Sequence, residues 1–329
     1  MKKSFWISIV ILTCVLSVWG SYPLQAADES FPKMVSLGTG SVGGGYNMVG
    51  VGASTIWDKE LGLKAKVVPG VAVANLHRFG DGRLDIVVSP SSHSKMAWEG
   101  MDDFKDKKIQ SFRVLCYMFP DFFHFVAKKK SGLKTVSDLK GKRVGCGPSA
   151  PTYDKIIGKR MEANGLKYFT DSPDFKKVFV NYNDLGRLLA DGNLDATIMG
   201  VSGVIPFPAL QQLMSEQELV ALEWSKEAIA FEDPIFPVGT IKKELLPYLE
   251  KDHICPVGGI ASFIVRQEYS DEFAYALTKS FHRSLSTLSE DNPYFKYPVK
   301  FPEILTHDAG VPYHPGAVKY WKEVGLWKR

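Results

Sequence analysis

The same structural phrase is written twice in this chain. Residues 67–89 read VVPGVAVANLHRFGDGRLDIVVS, and residues 178–200 read VFVNYNDLGRLLADGNLDATIMG. Each begins with β-branched residues, passes through a polar or Gly/Pro turn, and continues with apolar residues at helical spacing. Each then closes on Asp-Gly-x-Leu-Asp, Asp81 to Asp85 and Asp191 to Asp195, before a second apolar run. Strand, helix, tight turn, strand is a βαβ crossover in a mostly parallel sheet. The glycine supplies a left-handed helix stop, and the leucine re-enters the core. Crossovers recur in any large α/β protein, but a matched closing motif in both predicts two comparable lobes facing a cleft.

The chain has 329 residues, 45% of them hydrophobic, which is enough for a substantial core and two domains. Its N-terminus predicts the compartment. Lys2 and Lys3 precede an apolar run from Phe5 to Trp19, and Ala26 and Ala27 follow before Asp28. This is the pattern of a cleaved secretory signal over residues 1–26, too short for a spanning helix. Cleavage removes Lys2 and Lys3 and no acidic residue, lowering the formal charge of +4 by two. No block of like charge remains, since Lys128-Lys129-Lys130 reads as a solvated strand end. Nucleic acid and membrane surfaces are therefore excluded as partners. A periplasmic protein without a membrane-inserted segment, acting as a monomer, is expected. Cys116, Cys146 and Cys255 remain; the first two lie in apolar strand contexts, and one disulfide is open.

Along the chain, strands are expected at Met34–Leu37, Lys64–Val68, Ile86–Val88 and Arg143–Cys146. Helices are expected at about 47–61, 92–99, 153–163 and 271–288, and the tail from Pro315 to Trp327 should pack back on the first lobe. The aromatic stretch from Phe112 to Ala127 is broken by Pro120-Asp121, which predicts two strands joined there, because proline cannot donate to a ladder. A second crossing is expected at Pro256–Gly259, inside a strand from Ile254 to Val265. Pro206 suits the first turn of a helix. The domains follow: residues 28–120 with 259–329 as one lobe, and residues 121–258 as the other.

Gly38-x-Gly40-x-x-Gly43 follows the first strand and precedes a helix, as a dinucleotide-binding loop does. An acidic residue at the end of the second strand should then hold the ribose. Here that strand ends in Val68-Pro69-Gly70, while Asp58 and Glu60 fall in the crossover helix, and the signal exports the chain away from the nucleotide pool. A nucleotide-dependent enzyme using this loop is the minor reading. Without a nucleotide, the loop still offers backbone amides and the positive end of a helix dipole, a setting for a carboxylate or phosphate. Thr39, Ser41 and Tyr46 add hydroxyls.

Other chemistry is sparse. GxSxG, CxxC and HExxH do not occur, so no catalytic residue, metal ligand or cofactor is assigned. His307, Asp308 and His314 read as surface or capping groups. His124, in the aromatic stretch, either lines the cleft or is a satisfied structural histidine.

Several segments together resemble one family, the TAXI family of TRAP-transporter solute receptors, over nearly the whole mature chain. They are Leu37 to Tyr46, Pro120 followed by His124, Ser137-Asp138-Leu139-Lys140-Gly141-Lys142-Arg143-Val144, Pro237-Val238-Gly239-Thr240, and Val311 to Ala317. Two segments depart from it: Pro148 to Thr152 is less glycine-rich, and Ser91-Ser92 stands where Ser-Asp is common. The resemblance implies an α/β fold of the bilobal periplasmic-binding-protein type (type II), two doubly wound lobes with a hinge of two crossing segments. It implies a non-enzymatic receptor that passes a small organic acid or amino acid, with a glutamate-like compound, dicarboxylate or keto acid favoured, to the permease subunits of an ion-gradient-driven TRAP transporter. A sensory receptor serving a kinase or chemoreceptor is the alternative. Ligand contacts are expected from Thr39, Gly40, Ser41, Gly43, Gly44, Tyr46 and Ser91 on one lobe. Ser149, Ala150, Pro151, Thr152, Ser202, Pro237, Val238 and Gly239 are expected from the other. Each lies past a strand end or at a helix start, where open α/β sheets bind ligands.

Overall fold

In a computed structural model of the chain, residues 31–147 and 151–328 are described. The signal expected over residues 1–26, and Ser149 and Ala150, lie outside them. The first half of the chain gives β1 (Met34–Thr39), α1 (Gly45–Leu61), β2 (Lys64–Pro69), α2 (Ala72–Gly80), β3 (Ile86–Pro90), α3 (Ser91–Glu99) and the long β4 (Phe112–Lys128). Then come β5 (Arg143–Gly145), α4 (Pro151–Ala163), β6 (Lys176–Val178), α5 (Tyr182–Ala190), β7 (Ala196–Ser202), β8 (Ile205–Pro206), α6 (Pro208–Glu216) and β9 (Leu219–Ala221). The remainder is α7 (Lys226–Ala230), β10 (Val238–Ile241), β11 (His253–Arg266), α8 (Asp271–Arg283), α9 (Leu285–Asp291), α10 (Lys296–Lys300) and α11 (Pro315–Glu323).

The duplicated phrase becomes a duplicated topology. The strand order is β2-β1-β3-β11-β4-β7-β5-β6. At one end β2, β1 and β3 are mutually parallel and β11 closes them antiparallel. At the other end β6, β5 and β7 are mutually parallel and β4 closes them antiparallel. Each half thus has the same order, read outward from the middle.

The two closing motifs do the same work in both halves. Gly82 and Gly192 sit at φ 78° and 79°, ending α2 and α5 in the left-handed turn that glycine permits. Leu84 and Leu194 are buried. The final aspartate then adds a rung to the parallel ladder. Asp85 donates its N–H to Ser36 O (3.0 Å) and its Oδ2 accepts the Ser36 N–H (2.8 Å). Asp195 repeats this with Arg143, at 2.9 Å and 2.8 Å.

The long strands β4 and β11 pair with each other and serve both halves. β4 runs along β11 from Phe112 to Phe122 and along β7 from Asp121 to Ala127. β11 pairs with β10 up to Pro256 and with β3 from Ala261. The changeovers fall at Pro120–Phe122 and Val257–Ile260, where the ladder carries register shifts and Gly259 sits at φ 156°. Pro120 therefore does not end a strand, contrary to the expectation from its missing N–H. It lies opposite Ile260 at these irregularities, and its carbonyl accepts the Gly203 N–H (2.8 Å).

Two other expectations change. Pro206 belongs to the short β8, and Pro208 takes the first turn of α6. The helix expected over 271–288 divides at Ser284, whose hydroxyl is held by Glu60 (2.9 Å). The C-terminal helices seal the first half. Trp57 in α1 donates to Leu277 O in α8 (3.1 Å), and Trp321 in α11 donates to Leu115 O in β4 (2.8 Å). Cys116, Cys146 and Cys255 are all buried and free, so no disulfide joins them. Among the described residues, no helix is long and apolar enough to cross a membrane.

Candidate functional site

Where the two halves meet, three side chains from distant parts of the chain converge. Asp121 lies at the changeover of β4, with Ser202 opposite it on β7 and Gly259 opposite it on β11. Facing residues on antiparallel strands bring their side chains together. The Ser202 hydroxyl donates to Asp121 Oδ1 (2.5 Å), and the Tyr46 hydroxyl, from the first turn of α1, donates to Oδ2 (2.8 Å). Neither donor carries charge, and among the described residues no lysine, arginine or histidine forms an ion pair with this carboxylate. Burial pushes its pKa up to about 6, with the two hydroxyl bonds acting the other way.

Aromatic rings wall this point. Phe119 lies edge-on to Tyr46 at 5.8 Å and against Tyr294 at 5.4 Å. Burial, and then the Asp121 charge, hold the Tyr294 hydroxyl protonated by raising its pKa. Two glycines let the rings approach. A Cβ on Gly45 would lie 2.5 Å from the Tyr294 ring, and one on Gly203 would lie 2.9 Å from Phe119 Cβ and 3.0 Å from Tyr297 Cβ.

The glycine loop lies beside Tyr46. Ser41, Val42, Gly43 and Gly44 are exposed, and Gly44 takes the N-cap position of α1 with no side chain capping the helix. Ser41 O accepts the Gly44 N–H (3.0 Å), and Gly43, at φ 80°, points its N–H at Asn47 Oδ1 (3.4 Å). Gly40 must lack a side chain, since a Cβ there would meet Tyr46 Cβ at 2.8 Å. Thr39 is turned inward: its Oγ1 accepts from Asn47 Nδ2 (2.9 Å), and its carbonyl accepts from Asn75 Nδ2 (2.8 Å).

The other anticipated contacts have varied placements. Ser91 Oγ accepts the Ile260 N–H (2.9 Å), and Ser92 Oγ donates to Gly258 O (2.7 Å), so both tie the start of α3 to the β11 changeover. Pro151 and Thr152 open α4. Val238 and Gly239 form an edge strand on β11, and Pro237 O accepts the Val257 N–H (2.8 Å). Gly239 packs so close to Val257 and Phe122 that a Cβ would come within 2.7 and 2.8 Å of them. That segment's backbone is committed to the sheet. His124 is fully buried, with Nε2 2.6 Å from Tyr248 Oη and its ring beside His253; burial lowers its pKa well below the usual value. It is a core residue. His314 caps α11 through Gly316 N–H (3.3 Å), and Asp308 accepts the Gly310 N–H (2.9 Å). In α1, Asp58 pairs with Lys64 (2.6 Å) and Glu60 holds Ser284.

Sequence reasoning missed Asp121 and Tyr294 as candidate contacts. Asp121 was visible only as an acid inside the run Phe119-Pro120-Asp121-Phe122-Phe123. Tyr294 had no signal. An open depression of about 810 Å³ lies elsewhere, beside Lys129, Glu223 and Tyr248. None of the residues around Asp121 lines it.

The architecture matches known proteins. A periplasmic sulfonate-binding protein (SsuA) of a sulfonate ABC transporter from Methylobacillus flagellatus is 15% identical. The alignment covers 89% of this chain and 87% of that one, with a TM-score of 0.50. The periplasmic aliphatic sulphonate binding protein of Escherichia coli aligns at 13% identity, over 89% and 84% of the two chains, with a TM-score of 0.47. A periplasmic arginine-binding protein of Salmonella typhimurium aligns at 13% identity, over 82% and 99%, with a TM-score of 0.43. The first likeness shows the fold, the mixed α/β type II architecture of periplasmic binding proteins. Residues 37–325, from β1 to just past α11, match the profile of a single family, so the chain belongs to the NMT1-like family.

Proposed function

We propose that this protein is an extracytoplasmic receptor that captures a small solute between two lobes and performs no chemistry on it. The lobes are residues 28–120 with 259–329, and residues 121–258, hinged at the two changeovers of β4 and β11. The observation that carries the reading is the convergence of Tyr46, Asp121 and Ser202, drawn from both sides of the sheet onto the strand that links them. A few strand residues suffice to absorb a closing rotation.

The solute is a small organic acid or amino acid. The uncapped start of α1 and the loop Gly40–Gly44 supply a setting for its carboxylate. The opposite wall comes from Ser202, the start of α4 and the Pro237–Gly239 strand. Delivery to an ion-gradient-driven TRAP-type permease rests on the resemblance of Leu37–Tyr46, Ser137–Val144 and Val311–Ala317 to TAXI receptors. The periplasmic location rests on the residue 1–26 signal.

A thermal-shift screen of the purified protein against small acids, amino acids, sugars and nucleotides tests the reading. A ligand that binds only the native state stabilises it by about 2.7 kcal/mol at a hundredfold excess over Kd. At least one small carboxylate should raise the melting temperature, and NAD and nucleotides should not. A response to sugars or nucleotides alone would refute the assignment.

A further inference from the structure

We propose that Asp121 is the recognition group for a protonated amine on the solute, so that the receptor selects amino acids over the hydroxy, keto and dicarboxylic acids of the same shape. This inference rests on the solute-receptor reading above and narrows it.

The reasoning starts from what a carboxylate needs. An ionised aspartate has two oxygens, each able to accept about two hydrogen bonds, and carries a full negative charge. Tyr46 and Ser202 give each Asp121 oxygen one neutral donor. The two hydroxyls fix the plane of the carboxylate, while one acceptor direction on each oxygen and the whole charge remain for another group. A carboxylate in such surroundings is costly without a cation, and among the described residues the protein supplies none.

The walls fit an ammonium as well. Tyr46, Phe119 and Tyr294 form a run of adjoining rings, and the faces of aromatic rings attract cations. Gly45 admits the Tyr294 ring, and Gly203 leaves room for Phe119 Cβ and Tyr297, so their missing side chains shape this spot. A dicarboxylate or keto acid would instead bring a second negative charge or a carbonyl lone pair against Asp121, which is repulsive. The glycine loop continues from Tyr46, so an amine at Asp121 places the neighbouring carboxylate toward the start of α1.

The test uses matched sets that differ only at one atom. Examples are L-alanine, L-lactate and pyruvate, and L-glutamate, L-2-hydroxyglutarate and 2-oxoglutarate. Each is titrated by calorimetry and thermal shift against the parent and Asp121→Asn. The amine member of a set should bind, and its hydroxy and keto partners should bind at least tenfold more weakly. In Asp121→Asn the amine member should lose about tenfold to a hundredfold in affinity, the range of a hydrogen bond to a charged group. A cooperative melt at or above the parent's temperature and unchanged far-UV circular dichroism establish that the variant is folded; if it is not, the matched sets in the parent decide alone. Equal or stronger binding of a hydroxy or keto member, or full affinity in a folded Asp121→Asn, overturns the amine assignment and leaves the receptor reading intact. No response from any small acid or amino acid overturns both.

Discussion

Asp121 has a consequence for stability that its role in recognition explains. Burial raises its pKa to about 6, above the usual aspartate value, so the native state holds this proton more tightly than the unfolded chain does. Its contribution to stability is then full below pH 4 and falls as pH rises through about 6. Asp121→Asn removes that loss and keeps acceptor and donor atoms for the two hydroxyls. The ligand-free variant should therefore match the parent near pH 4 and exceed it at pH 7, by up to ~3 kcal/mol at about 1.4 kcal/mol per pKa unit. Chemical denaturation at the two pH values measures this, and a variant less stable at pH 7 would show that the carboxylate is structurally satisfied. Tyr46, Tyr294 and Ser202 are the groups facing Asp121 that bear on this titration. A stabilising change that removes solute affinity is the signature of a site held against folding. None of this was legible from the sequence. The partners of Asp121 lie 75 and 81 residues away along the chain, and no local pattern encodes such a meeting.

Among elements, the paired crossovers were the most legible part of the chain, because their signals are local. Helix periodicity, a glycine in the left-handed region and a leucine entering the core all fall within a few residues of one another. What the pattern did not disclose is why each motif ends in aspartate. Asp85 and Asp195 each cap a parallel ladder by accepting a backbone N–H from the neighbouring strand. For Asp85, hydrogen bonds from Ser36 and Arg266 outweigh burial and lower its pKa; for Asp195 the Arg143 side chain leads the same shift. A lowered pKa contributes stability above pH 4 that is lost as pH falls. Asp85→Asn and Asp195→Asn should each cost about 1.5–3 kcal/mol at pH 7, the range for hydrogen bonds to charged groups. The gap between parent and variant should persist near pH 4 and close only as the pH falls through the lowered folded-state pKa of each aspartate. Denaturation midpoints at pH 7 and about pH 2, below the lowered pKa values, check this, and equal deficits at both would assign the loss to packing instead. Proline was the misleading signal. Pro120 and Pro206 sit in strands because their missing N–H groups fall at irregular or short pairings, which only the partner strands reveal.

At the scale of the whole molecule, a receptor hinged at β4 and β11 would be held closed in part by contacts that join its halves away from the solute. One such contact is visible. Lys155 Nζ in α4 lies 2.5 Å from Asp102 Oδ1, in the turn after α3. Asp102 is the one described non-glycine residue at positive φ, 52°, a backbone position that aspartate tolerates better than most residues. Both side chains are about one-third exposed, at 36% and 34%, so the pair is worth ~0.2–1 kcal/mol and is weakened by salt. A contact made only in the closed form shifts the open–closed balance by its own free energy and no more. Lys155→Ala should therefore weaken apparent solute affinity by no more than about fivefold at low ionic strength, at ~1.4 kcal/mol per tenfold. The deficit should shrink toward zero at 0.5 M salt, with the ligand-free melting temperature nearly unchanged. Small-angle scattering of the ligand-free variant should show a larger radius of gyration than the parent. Asp102→Asn, which keeps the backbone conformation and removes the charge, should reproduce both effects. If affinity and scattering are the same for parent and variants at low salt, the pair is a surface contact without bearing on closure.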